Sequence, residues 1–471
     1  PVFRMPLRIH VGDENCECEH CTGSSSSSKC FVTMLTVEDV FRAIAPSTTI
    51  DEQVDDSVLK CKLWEYQRQT VSWAVSLEKG APDDLGVRGG VIAEEMGLGK
   101  TIEVIALICS HQPDGMVLNT MLSGTHPHTS GVLLPRLAGG LVCNSCGRRP
   151  VAQETMHSAS NGDWSCCQLC FLPTQPPLSP ARAPAEAVAP SPTAGSSNGS
   201  SGVTGFKIRI KRPFPFGAPH QSAAQSSHPA ALPTGIRSAR CTLIVTPASI
   251  LAQWLQELQL HSPALAARTI VYHGLRELGK RHSSDAILEA FDRAAIVLTT
   301  YRVLKQEVWY RGAREAGSNT DFPGASLRGC KRFEVPRSPL LNRTFWRIVI
   351  DEAQAVQVST TSMLTVMTGR IRAVHRWCVT GTPLSPERGV ADAFELLRFL
   401  KCAHPLATSR SAFLDASQVG GGEGVLRLLC ALMRRTSKVR AHTLHADRAW
   451  PLRNRAWPLR NRAWPLRNRA W

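Results

Sequence analysis

The chain has 471 residues, and 43% of them are hydrophobic, which is enough for at least one buried core. Lysine and arginine outnumber aspartate and glutamate by 54 − 38 = 16, and this basic balance favours a polyanionic partner, with nucleic acid as the first candidate. No run of roughly 18 or more apolar residues and no signal-peptide pattern occurs, so neither a membrane span nor secretion is expected.

The sequence pattern divides the chain into an α/β lobe, one insertion and several low-complexity segments. The start at Pro1 rather than at methionine indicates a fragment or a processed chain. The predicted segments are 1–57, a poorly ordered Cys- and Ser-rich stretch; 58–142, the first part of the lobe; 143–170, a metal-binding insertion; 171–237, a disordered linker rich in Pro, Ala, Ser and Gly; 238–440, the rest of the lobe; and 441–471, a low-complexity tail.

The lobe alternates apolar strands with helices. RGGVIAEE reads as a short buried strand and TIEVIALICS as the helix after it; TLIVTP, TIVYHG, AAIVLTTY, WRIVIDEA and RWCVTGTP read as further strands. Such strands predict a parallel sheet covered by helices on both faces, with its functional site at the carboxyl ends of the strands. In the amphipathic helix ILAQWLQEL, Trp254 falls on the apolar face and is assigned to the core rather than to base stacking.

Two terminal segments leave alternatives open. Five residues near the N-terminus offer a second zinc site or a Cys-rich disordered stretch: Cys16, Cys18, His20, Cys21 and Cys30. The heptad RAWPLRN, repeated from Arg448, contains Pro in every repeat and therefore cannot form a continuous helix. It is interpreted as low-complexity or mispredicted coding sequence, with a basic, aromatic nucleic-acid arm as the alternative.

The segment MGLGKT, Met96–Thr101, follows a strand and opens a helix, as phosphate-binding loops do. Gly97 and Gly99 allow backbone N–H groups to approach phosphate oxygens, Lys100 supplies a positive charge, and Thr101 offers a hydroxyl to Mg²⁺. The full phosphate-loop pattern is not met, because Glu94 stands where its first Gly would be. A simple turn is the alternative for this segment alone.

Two further strands end in polar residues. IVIDEAQ delivers Asp351, a candidate Mg²⁺ ligand, and Glu352, a candidate base for the attacking water. CVTGTP brings Thr380, Gly381 and Thr382 to the end of a neighbouring strand, near the nucleotide's terminal phosphate. Each is an ordinary turn in isolation, and together with the glycine loop they predict an ATP site.

Six segments in this order resemble the first-lobe motifs of Swi/Snf-type superfamily-two ATPases. They are LWEYQRQTVSW, AEEMGLGKT, LIVTPASILAQWLQEL, IVLTTY, IVIDEAQ and WCVTGTPL, and LLRFL and LMRRTSK resemble the close of that lobe. The resemblance covers about residues 60–440 apart from the insertions and implies a RecA-like fold. Glu94 replaces the Asp usual in this family, with little effect expected.

The resemblance also implies roles for individual residues. Lys100, Asp351 and Glu352 are the catalytic set. Nucleotide and Mg²⁺ contacts fall to Gln67, which reads the adenine edge, and to Met96, Gly97, Leu98, Gly99, Lys100, Thr101, Asp351 and Gln354. Gln354, often His in the family, couples the ATP state to the DNA surface together with Thr380, Gly381 and Thr382. The residues that face DNA are Thr246, Pro247, Gln253, Thr300 and Tyr301.

The insertion carries two thiolate pairs, Cys143-x2-Cys146 and Cys167-x2-Cys170, with spacing suited to tetrahedral Zn²⁺. Cys166 and His157 are alternative ligands, and free thiols are the alternative to a metal. DWSCCQLC is similar to the end of a PHD finger, although a one-zinc ribbon is the safer description. A zinc module at this point, together with DEAQ, resembles the SHPRH-type ubiquitin ligases.

The resemblance implies an ATP hydrolase that translocates on duplex DNA or nucleosomes, in chromatin remodelling or DNA repair, in the nucleus. Its cofactors are ATP, Mg²⁺ and Zn²⁺, and ubiquitin-transfer machinery is a further expected partner. No motif of a second lobe or a RING follows Lys438, so the chain alone is expected to hydrolyse ATP poorly. A nucleotide- and zinc-binding chromatin scaffold without turnover is the alternative, and an RNA helicase is a third, less favoured reading.

Overall fold

The computed structural model describes only part of the chain. The described residues are 9–10, 31–32, 35–44, 54, 59–80, 85–113, 133–159, 162–174, 237–310, 336–356, 362–418 and 422–441. The predictions for the N-terminal Cys/His group, the linker residues 175–236 and the repeat tail concern residues outside these ranges.

The described residues contain short and medium-length elements in alternation. The strands are β1 (Ile9–His10), β2 (Phe31–Val32), β3 (Gly89–Ile92), β4 (Leu133–Leu137), β5 (Thr155–Ala159), β6 (Ser165–Cys167), β7 (Arg237–Thr246), β8 (Thr269–Val271), β9 (Ile296–Thr300), β10 (Arg343–Asp351), β11 (Arg372–Val379) and β12 (Met433–Arg434). The helices are α1 (Val37–Ala43), α2 (Glu65–Lys79), α3 (Lys100–Ser110), α4 (Gln168–Phe171), α5 (Leu251–His261), α6 (Pro263–Ala266), α7 (Leu275–Leu278), α8 (Ser284–Arg293), α9 (Tyr301–Glu307), α10 (Met363–Arg370), α11 (Ala391–Leu400), α12 (Pro405–Thr408), α13 (Arg410–Gln418) and α14 (Glu423–Leu432).

A seven-stranded sheet forms the centre, in the order β12-β3-β11-β10-β7-β9-β8. Every pair of neighbours in it is parallel. In the register, Asp351 lies beside Val379, and Thr246 lies beside Thr300. The polar residues that follow these strands therefore meet at one edge of the sheet, as the strand pattern predicts.

Helices cover both faces of this sheet. Side chains alternate between the two faces along each strand, so the apolar strands present apolar side chains on both sides. On β10, Ile348 and Ile350 enter a buried cluster that includes residues of α8, α9, α10, α11, α13 and α14. Val349 enters a second cluster, shared with α2, α3, α5 and α6. The predicted RecA-like class, a parallel sheet with helices on both faces, is confirmed.

The insertion has its own three-stranded antiparallel sheet, β4-β5-β6. Its first strand pairs Leu133 with Ala159, so the insertion begins at least ten residues before the predicted boundary at 143. The predicted linker at 171–237 is also too long, because Phe171 is fully buried, a 3-10 turn spans Leu172–Thr174, and Arg237 starts β7. Periodicity could not reveal β4, since Pro135 and Arg136 interrupt its apolar pattern.

The prediction of poor order in the N-terminal segment is wrong for residues 35–44. These residues contain α1, which starts at a capping box in which Thr36 and Asp39 satisfy each other's backbone N–H groups. Val40 is fully buried, and the side chain of Phe41 lies under the guanidinium of Arg435. The helix is therefore part of the lobe.

Candidate functional site

A cleft of about 520 Å³ opens at the carboxyl ends of β3 and β10. It brings together the glycine loop, the acidic pair Asp351 and Glu352, and the motif LWEYQRQTVSW, which contains Gln67. The lining residues are Cys61, Lys62, Trp64, Gln67, Met96, Gly97, Leu98, Gly99, Lys100, Thr101, Ile102, Ile250, Gln253, Trp254, Glu257, His261, Asp351 and Glu352. Its size is within the range of small-molecule sites.

The glycine loop has the backbone that a phosphate cradle requires. Gly97 and Gly99 have φ angles of +89° and +91°, a conformation that L side chains rarely adopt. At Gly99 there is also no room, since a Cβ there would lie 2.5 Å from Nε2 of Gln67. Lys100 begins α3, so the positive end of that helix and its unpaired N–H groups point at the cleft.

The loop rests on a buried carboxylate, that of Glu94. Its Oε1 accepts hydrogen bonds from the hydroxyls of Thr70 (2.9 Å) and Thr436 (3.2 Å), and its Oε2 accepts from the backbone N–H of Thr436 (2.6 Å). Burial raises the pKa of Glu94. The residue thus ties the loop to α2 and to the segment after β12, and does not point into the cleft.

The two acidic residues follow β10 directly. Asp351 is 5% exposed; its Oδ1 accepts from the backbone N–H of Glu352 (2.9 Å) and its Oδ2 accepts from the indole N–H of Trp254 (2.7 Å). Burial raises the pKa of Asp351. Glu352 has a φ of +53°, a left-handed backbone rare outside glycine that turns its side chain toward the cleft.

A chain of hydrogen bonds links Glu352 to the end of β11. Nε2 of Gln354 donates to Oε2 of Glu352 (2.7 Å), and the hydroxyl of Thr380 donates to Oε1 of Gln354 (2.7 Å). Gly381 lies against the glycine loop, since a Cβ there would be 2.7 Å from Cγ of Met96 and 3.4 Å from Nζ of Lys100. The three predicted motifs are therefore in contact.

Gln67 lies beside the loop. Its Oε1 accepts from the backbone N–H of Trp64 (3.0 Å) and its Nε2 donates to the carbonyl of Leu98 (2.9 Å). Because an amide nitrogen carries two hydrogens, a second N–H is left beyond these bonds for a ligand in the cleft. Its predicted contact with adenine stays a prediction.

The residues predicted to face DNA do not all reach the surface. Thr246 is fully buried, and Tyr301 is 9% exposed with its hydroxyl donating to the carbonyl of Asp351. Neither side chain is therefore open to DNA in this structure, and the predicted contact of these two residues with DNA stays a prediction. Gln253 is exposed, and Pro247 and Thr300 are partly exposed.

The insertion gathers the four predicted cysteines. Their sulfurs lie 3.8 Å apart for Cys143–Cys170 and Cys146–Cys167, and 3.7 Å apart for Cys167–Cys170. A tetrahedral Zn²⁺ with bonds of about 2.3 Å requires sulfur separations of about 3.8 Å. The thiol geometry thus fits Zn²⁺.

Neither alternative ligand belongs to this group of four. Cys166 is fully buried outside it. The ring of His157 stacks on Phe171, and its Nε2 is bonded to Oε1 of Gln168 (3.2 Å). Alternation along β6 explains the difference, because Cys166 and Cys167 point to opposite faces of the sheet.

The insertion is docked on the lobe by polar contacts to α5, α6 and the loop before α8. Nε2 of Gln259 donates to the carbonyl of Gln153 (2.6 Å), Nε2 of Gln168 donates to the carbonyl of Ala267 (2.7 Å), and Nη1 of Arg281 donates to the carbonyl of Cys146 (3.3 Å). The last of these contacts ends at the carbonyl of Cys146, one of the four cysteines that lie together.

Comparison with known families agrees with this arrangement of motifs. The profile of the SNF2-related domain matches residues 66–441, which is most of the chain. The chain belongs to the SNF2-related domain family. The predicted resemblance of the chain to Swi/Snf-type ATPases is thereby confirmed.

Individual relatives cover the chain to different extents. The human E3 ubiquitin-protein ligase SHPRH is 36% identical over 165 residues, which are 35% of this chain and 9% of the ligase. The DNA repair protein RAD5A of Arabidopsis thaliana is 22% identical over 398 residues, 76% of this chain and 28% of that protein. The Sulfolobus solfataricus SWI2/SNF2 ATPase core in complex with dsDNA has a TM-score of 0.38 at 16% identity, covering 81% of this chain and 45% of that one. The chain thus spans a small part of the length of these curated relatives.

Sequence reasoning missed two contributors to the site. The sequence pattern places Trp254 in the core, which its burial confirms, but the indole N–H also donates to Asp351. The closing motif LMRRTSK contains Thr436, and the pattern gives no sign that Thr436 supports Glu94 beneath the loop. Hydropathy indicates which side of a helix is buried, but it does not indicate which polar atoms form hydrogen bonds with each other.

Among the described helices, none has the length and apolar character needed to cross a membrane.

Proposed function

We propose that this domain binds Mg²⁺ and ATP in the cleft, hydrolyses ATP and couples the hydrolysis to movement along duplex DNA. The observation that carries the proposal is that one cleft contains the glycine loop and the acidic pair, which are more than 250 residues apart in sequence. Family membership supports the same chemistry.

The residues of the chain divide the work as follows. Gly97, Gly99 and the first turn of α3 bind phosphate oxygens through backbone N–H groups, and Lys100 adds a positive charge. Thr101 and Asp351 would hold Mg²⁺, which would neutralise charge on the phosphates when bound.

Glu352 orients the attacking water and accepts its proton. Its Oε2 is held by the amide of Gln354, and that amide is bonded in turn to Thr380. This chain of bonds is the route by which the state of the nucleotide reaches the end of β11 and the surface that follows it.

Duplex DNA or nucleosomes are the proposed partner, and the nucleus is the proposed location. The net charge of +16, the exposed Gln253 beside the cleft and the relative named as a DNA repair protein support this. The insertion is proposed to bind one Zn²⁺ through its four cysteines. The relative named as an E3 ubiquitin-protein ligase supports a narrower proposal, that the domain works together with ubiquitin-transfer machinery.

The test measures nucleotide binding and ATP turnover on the same protein. The chain, its Glu352→Gln variant and a control variant, Glu423→Gln, are compared with and without duplex DNA; Glu423 is an exposed residue of α14. We expect Mg·ATP binding by all three, a slow turnover that DNA raises in the chain and the control, and turnover lower by at least about 100-fold in Glu352→Gln. Absence of nucleotide binding, or a turnover that DNA does not change, would contradict the proposal.

A further inference from the structure

Trp254 is a buried tryptophan whose only polar atom is aimed at the acidic pair. Its side chain is 2% exposed, and Nε1 donates to Oδ2 of Asp351 at 2.7 Å. An indole N–H can only donate, so it matches the charged carboxylate and has no second role there. The bond joins residues 97 positions apart in the sequence.

The bond completes the fixation of the Asp351 carboxylate. The other oxygen, Oδ1, already accepts from the backbone N–H of Glu352 (2.9 Å). With one donor on each oxygen, rotation of the carboxylate about its Cβ–Cγ bond would break both bonds. The lone pairs that remain on each oxygen are available to a ligand in the cleft, which Asp351 and Trp254 both line.

Helix α5 holds the indole firmly in position. Leu251, Leu255 and Leu258 of this helix are buried in the core between the sheet and α3. The far end of α5 is fixed as well, since the carbonyl of His261 accepts from the backbone N–H of Lys60 (2.8 Å). The donor is thus set by packing and does not depend on a flexible surface side chain.

We propose that Trp254 is a positioning residue that orients Asp351 for Mg²⁺. This rests on the proposed function, since it assumes that Asp351 holds the metal. Partners that orient a metal-binding side chain typically change metal affinity by about 10- to 100-fold when they are removed. Trp254 touches neither the nucleotide nor the water in this proposal and acts only through Asp351.

The chain offers a matched control in a second buried tryptophan. Trp377 is fully buried, and its Nε1 donates to Oε1 of Glu78, also at 2.7 Å. Neither Trp377 nor Glu78 lines the cleft. Trp254→Phe and Trp377→Phe therefore make the same change of ring and remove the same kind of N–H···carboxylate bond, and only the first bond belongs to the proposed metal site.

The experiment measures binding of a fluorescent ATP analogue during a Mg²⁺ titration, and separately in EDTA. For Trp254→Phe we expect the Mg²⁺ concentration at half-maximal binding to rise by about 10-fold or more, with binding in EDTA unchanged. For Trp377→Phe we expect a lower thermal midpoint and an unchanged Mg²⁺ titration. Equal titrations for the two variants would overturn the positioning role.

Two further measurements keep the outcome decisive. If Trp254→Phe does not fold, incorporation of 3-benzothienylalanine at position 254 replaces the N–H by sulfur with almost the same shape, and the same shift is expected. If the unchanged protein shows no Mg²⁺-dependent nucleotide binding, the proposed function itself fails. If it shows such binding and the shift is absent, only the role of Trp254 fails.

Discussion

The carboxylate of Glu78 lies inside the protein among several donors. The guanidinium of Arg347 donates to both of its oxygens, the indole of Trp377 donates to Oε1, and the ring of His111 is bonded to Oε2. Burial alone would raise the pKa of Glu78, but Arg347 holds it well below its ordinary value. Although Glu78, His111 and His375 lie within the reach of one metal ion, we interpret the group as a buried ion pair, because Arg347 already uses the carboxylate.

His375 is a buried histidine of this group. It is 1% exposed, and neither of its ring nitrogens has a hydrogen-bond partner among the described residues. Burial lowers its pKa from 6.5 to about 4. Below pH 6.5 the unfolded chain therefore binds a proton that the folded chain does not, so the stabilisation is complete above that pH and is lost as the pH falls toward 4.

His375→Phe should weaken this acid sensitivity. Phe is close in shape and cannot take up a proton, so the thermal midpoint of the variant should fall less between about pH 7 and about pH 5 than that of the unchanged protein. Part of the slope will remain, because burial also lowers the pKa of His157 to about 3. Identical slopes in melting curves followed by circular dichroism would show that His375 does not titrate as described.

At the scale of elements, the insertion is a small sheet with the four cysteines at its turns. Cys143 and Cys146 flank the turn that follows Leu141, Cys167 ends β6, and Cys170 lies in α4. Cys143 also accepts a hydrogen bond from the backbone N–H of Cys167 (3.3 Å). Beside them, Arg148 donates to both oxygens of the buried Glu154. In the proposed zinc-bound state, the metal and this ion pair together would hold strands that are too short to be stable alone.

Zinc content gives a direct test of the insertion. Cys143→Ala should contain about one Zn²⁺ less per chain than the unchanged protein and should melt at a lower temperature, because a tetrahedral site loses a ligand. Cys166→Ala is the control, since Cys166 is a buried neighbour outside the group. The zinc content of each variant is measured by mass spectrometry and subtracted from that of the unchanged protein, so zinc bound elsewhere in the chain cancels. Equal zinc in the two variants would remove the assignment.

The sequence predicted some elements well for a physical reason. Runs such as LIVT and RIVID are apolar and β-branched, and strands buried on both faces need that composition. It could not predict β4, whose Pro135 and Arg136 break the pattern, or the burial of Tyr301, because alternation around a strand end does not fix where the next side chain turns. The hydrogen bond from the indole of Trp254 to Asp351 could not be predicted either, since the two residues lie 97 positions apart in the sequence.

At the scale of the whole molecule, the sheet is completed by its last strand. β12 pairs with β3, the strand that leads into the glycine loop. Two backbone bonds extend the pairing, from Ala93 to Arg434 (2.8 Å) and from Glu95 to Thr436 (3.2 Å). The glycine loop of the proposed ATP site is therefore supported by residues about 340 positions downstream.

Thr436→Val tests how much this link contributes. The variant keeps the shape and the backbone N–H but removes a hydroxyl that donates to the buried Glu94, so we expect the free energy of unfolding in urea to fall by about 1–3 kcal/mol. Thr408→Val is the control, since that hydroxyl is exposed and donates to a nearby carbonyl. A loss no larger than that of the control would mean that Glu94 finds another donor.

The late arrival of β12 has a consequence for synthesis in the cell. The ribosome releases β3 and the glycine loop long before the strand that covers their outer edge. At roughly 5–20 residues per second, the nascent chain waits on the order of tens of seconds for it. During that time β3 exposes unpaired N–H and C=O groups, which can pair with strands of other molecules. The order of the strands therefore leaves this edge of β3 without its partner strand until residue 434 has been synthesised.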